Sequence, residues 1–461
     1  MPPGPVLMPI LGNILSLASK DSLKNLAQLR KRYGDVYALY IGKELTVFLN
    51  GFEVINDSLL KKGSVFVRRP DSPFARAINH YPGIVAANDK LWKEQRTFTL
   101  RALQQLCFKN RSQHIETVIL EEATKLLDKI ESINGPIDPK HYFAISFANV
   151  VSNVLMSRSF DLDDAEFINF LNKCANNSRN LPRLITLINC FPFLTKLPGD
   201  ALDIKSVFAG IFAWFDIFKK YTADRKWENA ENDFVDLYMQ SVYENEANGK
   251  SQTITEKQLK ITTFDLIIAG SDTSATTVRW LLLYLLQDPM LEAKLHFEID
   301  DVIGKTRAPS LEDRSKMPYL EATIMEALRL ANVAPLAVPH SVADDVIFKG
   351  YLIPKDTTII ANLNSIMMDP NIWIEPGKFN PERFLTPDGK TLKIPEEFIP
   401  FSLGPRSCVG ETLAKMEMFL FVASLLQRFK LEYVGSSPPP VKGNLGVTYN
   451  PDPYEIRFIK R

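Results

Sequence analysis

The chain has 461 residues, 46% hydrophobic and 23% charged, with 54 basic and 54 acidic side chains and a formal net charge of +0. It is long enough to bury a large core, and it lacks the whole-chain charge bias that marks a nucleic-acid binder. Its four cysteines, Cys107, Cys174, Cys190 and Cys408, are too widely spaced for a disulfide framework or a CxxC zinc site, which favours a reducing compartment.

The chain opens on Met1-Pro2-Pro3-Gly4-Pro5, too rigid and too poor in apolar residues for a signal peptide. No apolar run reaches the ~18 residues that a spanning helix needs. Such a start is expected where an anchor has been removed at a proline-rich hinge, or of a naturally abrupt terminus. Leu23 to Tyr33 has helical periodicity, and Val36 to Leu49 alternates like two short strands around Gly42-Lys43. Helix returns from Glu53 to Lys62. Strand signals are then sparse until Asp345 to Asn362 and the tail Gly446 to Ile459. No internal repeat or long linker divides the chain. The expected fold is mostly α with small β-sheets near both ends.

Trp92-Lys93-Glu94-Gln95-Arg96 sets an indole and a guanidinium four apart, on one helix face. Lys90, Lys93, Arg96 and Arg101 cluster there, with Lys109 and Arg111 following; such runs are most often solvated faces. Phe191 to Leu194 and Phe208 to Phe218 are strongly aromatic beside Lys196, Lys219 and Lys220. They suit either a core helix or a surface dipping into a bilayer interface.

A long helix follows. Thr253 and Glu256 form a capping-box pattern at its start, and Asp288-Pro289 marks its end and begins the next helix, which stops at Gly304. Its middle, Ala269-Gly270-Ser271-Asp272-Thr273, is poor helix material. Small Ala269 and Gly270 are expected to leave room beside the helix, and Thr273 to bond to a local carbonyl and bend it. Glu326-Ala327-Leu328-Arg329 places Glu and Arg on one face, a pattern that surface helices carry routinely. Pro339-His340 and Asn380-Pro381-Glu382-Arg383-Phe384 come next.

The stretch Phe401-Ser402-Leu403-Gly404-Pro405-Arg406-Ser407-Cys408-Val409-Gly410 precedes an apolar helical pattern from Glu411 to Phe429. Backbone N–H groups of a Gly-rich turn, the positive end of the following helix and Arg406 are all expected to lower the Cys408 pKa. A thiolate so held is either a metal ligand or a nucleophile. The five spaced positions Phe401, Gly404, Arg406, Cys408 and Gly410 would arise by chance in roughly one such chain in ten thousand.

These residues resemble the haem-binding signature of the cytochrome P450 family, and the resemblance runs from the proline-rich start to the terminal strands as one catalytic domain, 1–461. It is strongest to animal microsomal, family 2-like members. The resemblance implies a cytochrome P450 fold, with haem b between the long helix and the helix after the cysteine loop. Cys408 becomes the iron ligand, and Trp92, Arg96, His340 and Arg406 become propionate donors, with Phe401 and Ala269 against the cofactor. Asp272 and Thr273 become the oxygen-activating pair, while Glu326, Arg329 and Arg383 form a structural triad. Phe264, Asp265, Ile268, Ala269, Ala334, Ala337, Val338 and Val447 are placed in the substrate pocket, closed by the loop Ser72 to Asn88 with Asn176 to Leu184 as a lid. Asp265 suits either recognition of a cationic or hydroxylated substrate or bonding to backbone N–H groups of that loop.

The implied activity is a monooxygenase that hydroxylates or epoxidises a fatty acid, steroid or xenobiotic. The implied partners are an NADPH-dependent reductase docked on the basic face, cytochrome b5 as a further electron donor, and the cytoplasmic face of the endoplasmic reticulum membrane. No convincing GxGxxG follows a strand, so electrons come from another protein. Two rivals share Cys408: an isomerase or dehydratase acting on lipid hydroperoxides, and a non-catalytic haem sensor. The Asp272-Thr273 pair argues against the first.

Overall fold

In the computed structural model, which describes residues 1–9, 11–14, 21–72, 82–109, 112–196, 204–225, 232–249 and 253–461, helices dominate and the strands form four small sheets. The helix α1 (Ser22–Tyr33) starts where the Asp21 carboxylate accepts from the Lys24 N–H, and it stops at Gly34. β1 (Val36–Ile41) and β2 (Glu44–Leu49) form the antiparallel hairpin that the alternation predicts, with Val36 opposite Leu49. β3 (His340–Ser341), β4 (Val346–Phe348), β5 (Tyr351–Ile353) and β6 (Thr358–Ala361) come much later in the chain. The order β1-β2-β6-β3 then joins the N-terminal hairpin to residues 340–361, with β6 parallel to β2. β4 pairs only with β5. The predicted helix from Glu53 is split into α2 (Phe52–Asn56) and a wider π turn, Asp57–Lys61.

The main helical sequence is α3 (Asp89–Gln104), α4 (Ser112–Ser132), α5 (Pro139–Met156), α6 (Ala165–Cys190), α7 (Ile204–Thr222), α8 (Phe234–Ala247) and α9 (Glu256–Leu285). It continues with α10 (Pro289–Val302), α11 (Pro318–Ala331), the short α12 (Asn364–Met367) and α13 (Glu411–Arg428). β7 (Phe429–Tyr433) follows α13 directly and pairs with β10 (Ile456–Lys460), while β8 (Gly443–Leu445) and β9 (Tyr449–Pro451) make a separate hairpin. β7, Phe-Lys-Leu-Glu-Tyr, alternates apolar and polar but directly follows the helical pattern of α13, and β8 is only three residues long. The core lies among α4, α5, α9 and α13, where Ile119, Leu126, Phe147, Leu282 and Phe421 are all buried.

The thirty residues of α9 span roughly 45 Å at 1.5 Å per residue. Its N-cap is Thr255, whose hydroxyl accepts from the Gln258 N–H. Thr253 is not the cap, because its hydroxyl donates to the Glu94 carboxylate on α3, a charged acceptor. Gly270 has a different use from the one expected. A Cβ there would lie 2.7 Å from Val151 Cγ2, so the missing side chain lets α5 pack closely on α9 and leaves no room for a ligand. The aromatic segment divides by face. Trp214 and Phe218 are buried, with Trp214 Nε1–H donating to Thr263 Oγ1 at 3.1 Å, whereas Phe193 and Phe212 are exposed. The Phe208 and Lys196 side chains lie outside the described residues.

A buried ion-pair network stands beneath the cysteine loop. Arg329 grips Glu326 through two bonds of 2.7 and 2.9 Å and donates to the carbonyls of Met367 and Pro376. Arg383 Nε and the Asn380 N–H add bonds of 3.0 and 2.9 Å to Glu326 Oε1. The Arg329 guanidinium also lies over Trp373, and the Phe384 ring meets Phe398 edge-on, three residues before the cysteine loop. Gly404 then closes that loop with φ +76°; a Cβ there would fall 1.7 Å from the Leu59 carbonyl oxygen.

Glu326 and Arg329 have no side-chain exposure, so removing one partner strands a buried charge. Glu326→Ala is expected to destabilise the protein by about 3–5 kcal/mol. Denaturant unfolding checks this, and a loss below about 1 kcal/mol would refute the network's role. Gly404→Ala is expected to displace the cysteine loop, seen as faster amide exchange across residues 401–410.

Candidate functional site

Cys408 sits on a turn fastened by its own N–H to the Phe401 carbonyl at 3.0 Å and by the Ser407 N–H to that of Gly404. The thiol is free and exposed, yet burial pushes its pKa up. A side chain with both properties borders an internal space rather than the outer surface. The N–H groups of Gly410 and Glu411, at the start of α13, oppose that rise as expected, and so does Arg96. Arg406 plays no part in this. Its guanidinium turns away, donating to the Val67, Ile84 and Ala87 carbonyls at 2.8, 3.4 and 2.6 Å. The net direction is therefore upward, contrary to expectation, because desolvation outweighs the donors. Phe401 is half-buried, its ring 5.4 Å from the Lys415 ammonium.

Beside this turn three arginines converge. The Arg406 guanidinium stacks 4.0 Å from the centre of the Trp92 ring. Arg96 donates to the Ser407 carbonyl at 2.7 Å. Arg69 donates to the carbonyls of Val85, Val338 and Pro339 at 3.0, 2.9 and 2.9 Å. Burial, with mutual repulsion, pulls Arg406 down to about 8 and Arg69 to about 10, and Arg96 is lowered by burial. Among the described residues none of the three forms an ion pair with a carboxylate; Asp89, the nearest acid to Arg406, pairs with Arg68. His340 completes the group, its Nδ1–H donating to the Phe66 carbonyl at 2.7 Å. Burial first, then Arg69 and Arg406, hold the imidazole down at about 3. It is therefore neutral, and Nε2 becomes a donor only when an anion arrives to stabilise the imidazolium.

Midway along α9, Ala269 is exposed, and Phe264, Ile268, Asp272 and Thr273 are partly exposed. The Thr273 hydroxyl donates to the Ala269 carbonyl at 2.7 Å, the local bond expected of it. Asp272, raised by burial, accepts from the Thr448 hydroxyl at 2.8 Å. Ala334 and Ala337 are partly buried, and Val338 and Val447 are exposed. Asp265 is committed to the chain. Its Oδ2 accepts from the Val85 N–H at 2.9 Å, and a Cβ on Gly83 would lie 2.3 Å from that oxygen. Burial pushes its carboxyl up to about 7, against that N–H, so it clamps the loop and is not left free for a substrate.

A family model described as cytochrome P450 matches residues 2–458. The chain belongs to the cytochrome P450 family. It is 38% identical to cytochrome P450 2C25 of Mesocricetus auratus, over 100% of this chain and 94% of that protein. Identity is 37% to cytochrome P450 2C14 of Oryctolagus cuniculus and 38% to cytochrome P450 2C6 of Rattus norvegicus, each over 94% of this chain and 88% of the relative. It is a family 2-like haem-thiolate monooxygenase of lipophilic substrates that uses O2 and a redox-partner reductase. P450 proteins hold haem b through a cysteine thiolate, and the residues here fit that group: an accessible thiol, the exposed small side chain of Ala269 on α9, and a desolvated cationic cluster without a carboxylate partner among the described residues.

Arg69 was not singled out from the sequence. It sits in no motif, and only the fold brings it against Arg96, Arg406 and His340. Two expected closures read differently in the structure. Asn176 to Leu184 is continuous with α6, with the side chains of 177–179 outside the described residues, so it is helix and not a separate lid. Of the loop Ser72 to Asn88, residues 73–81 lie outside the described residues, and 82–88 are tied down by Asp265, Arg69 and Arg406.

If the cationic cluster holds the haem carboxylates, Arg69→Leu should speed haem loss to an acceptor globin roughly tenfold to a hundredfold, the value of a charge-assisted hydrogen bond. Unchanged loss would remove Arg69 from the cofactor site.

Proposed function

We propose that Cys408 is the axial thiolate of the haem iron, and that Trp92, Arg69, Arg96, Arg406 and His340 hold its two propionates. Residues 1–461 are taken as one catalytic domain. The observation that carries this is the cluster of three half-buried, desolvated guanidiniums, without a carboxylate partner among the described residues, beside an accessible cysteine. A dianion placed there removes the mutual repulsion of the arginines and makes His340 Nε2 a donor. Half-buried Phe401 and exposed Ala269 would lie against the cofactor, the small Ala269 leaving space for O2.

Bound haem supplies the redox chemistry, since an iron with a thiolate ligand is electron-rich and favours O–O cleavage. The protein's part is to bind, orient and move protons. Phe264, Ile268, Ala334, Ala337, Val338 and Val447 line an apolar pocket, which excludes water and suits a fatty acid, steroid or xenobiotic. Asp265 keeps the loop 83–88 closed over it. Thr273 Oγ rests against the Ala269 carbonyl and turns outward to pass a proton, which Asp272 supplies. The product is a hydroxylated or epoxidised substrate.

The electron donor is an NADPH-dependent P450 reductase, with cytochrome b5 as a further donor. Exposed Lys90, Lys93 and Arg101 on α3 offer a basic face to an acidic partner; the Lys109 side chain and Arg111 lie outside the described residues. Among the described residues no helix is long and apolar enough to cross a membrane. Exposed Phe193 and Phe212, near Lys219 and Lys220, support contact with a bilayer surface at the cytoplasmic face of the endoplasmic reticulum.

Cys408→Ala is expected to abolish the thiolate-type absorption of the reduced carbon-monoxide complex while Arg69 and Arg406 still retain some haem. A variant that kept that spectrum would sink the ligand assignment. A spin-state screen of lipophilic compounds, followed by product analysis with reductase, identifies the substrate.

A further inference from the structure

Asp272 does not stand alone. A one-way chain of hydrogen bonds from the C-terminal hairpin ends on its carboxylate. Arg279 donates to Asn450 Oδ1 at 3.3 Å, joined there by the Thr276 hydroxyl at 3.1 Å. Asn450 Nδ2 in turn donates to Thr448 Oγ1 at 2.9 Å, and Thr448 gives its hydroxyl proton to Asp272 Oδ2 at 2.8 Å. Every bond points the same way, so each polarises the next toward a negative terminus. Neither an amide nor a guanidinium readily passes protons on, so the chain stabilises charge and is not a proton wire. Asn450 is held in turn by its strand: the Trp280 indole donates to the Tyr449 carbonyl, and the Tyr449 N–H to that of Val333. Neighbouring positions on a helix diverge by about 100°, so a carboxylate held at Thr448 points off the line of Thr273.

We propose that Thr448 is a positioning residue for the reaction: backed by Asn450 and Arg279, it holds the Asp272 carboxyl group turned to the hairpin, and proton delivery to Thr273 requires that bond to open. The proposal rests on the reading of Asp272 and Thr273 as the proton-handling pair. The other groups that face Asp272 are Arg279 on its own helix, Lys140 on α5 and the Cys174 thiol on α6; Asp138 and Tyr454 face Arg279. Burial raises the Asp272 carboxyl and the Thr448 bond opposes that rise. Deleting the bond therefore raises the carboxyl further.

The test compares Thr448→Val, which keeps the shape and loses the donor, with Thr448→Ser, which keeps the donor. The Asp272 carboxyl of the haem-loaded protein is titrated by infrared difference against Asp272→Asn. Thr448→Val is expected to raise its apparent pKa by about one unit and Thr448→Ser to restore it. Asn450→Ala should give a smaller shift in the same direction, and serves as the variant if Thr448→Val does not fold. If Asp272 acts as an acid, turnover falls as pH rises through its pKa, so the alkaline limb of product formed per NADPH consumed moves up with the carboxyl. A carboxyl titration unmoved in Thr448→Val overturns the proposal. A carboxyl that moves while the alkaline limb stays overturns Thr448's part in the reaction and traces the failure to the reading of Asp272.

Discussion

Desolvated positive charge without a carboxylate partner among the described residues is the constraint around which this molecule is arranged. Arg69, Arg96 and Arg406 are all lowered by desolvation, and each of them is in contact with backbone carbonyls instead of carboxylates. Carbonyls satisfy the N–H groups but leave the net charge in place. A dianionic ligand bound among the three arginines would relieve that electrostatic load. The carbonyl acceptors come from Val67, Ile84, Val85, Ala87, Val338 and Pro339, which is why the cluster also sews the loop 82–88 to the segment before β3.

The Glu326–Arg329–Arg383 network solves the opposite problem. There one carboxylate is shared by two guanidiniums and the hydrogen bonds are filled, by Asn380 N–H on the acid and by the Met367 and Pro376 carbonyls on Arg329. Such a network gives a rigid floor rather than a binding site. Through Trp373, Phe384 and Phe398 it sets the position of the cysteine loop, and Gly404 lets that loop press against Leu59. A filled ion network thus packs against the segment leading into the cysteine loop and an unfilled one lies beside the loop itself, the first for rigidity and the second for ligand capture.

The pocket side follows a third logic, in which carboxylates are held by backbone and hydroxyl donors. Asp265 is clamped to Val85, and Asp272 to Thr448. Both are raised by burial, yet they are bound to different segments, the loop before α3 and the C-terminal hairpin. Two acids seven residues apart on one helix thus govern two different parts of the pocket wall.

Local signals were legible in the sequence. The hairpin around Gly42-Lys43, the Pro289 helix start and the cysteine turn are set by residues within a few positions of one another, and periodicity or a turn reports them directly. The helical class and the family followed from the same kind of information, because motif spacing survives in one dimension. Partners were not legible. Arg69 joins Arg96 and His340 from distant parts of the chain, Gly270 serves Val151, Thr253 turns to Glu94, and Arg406 faces the loop 84–88 while Arg96 faces Cys408. The sequence by itself determined which chemical groups are available and on which elements they lie. Only the tertiary structure decided which of them meet, because a desolvated charge takes whatever acceptor the packing of distant segments brings within reach.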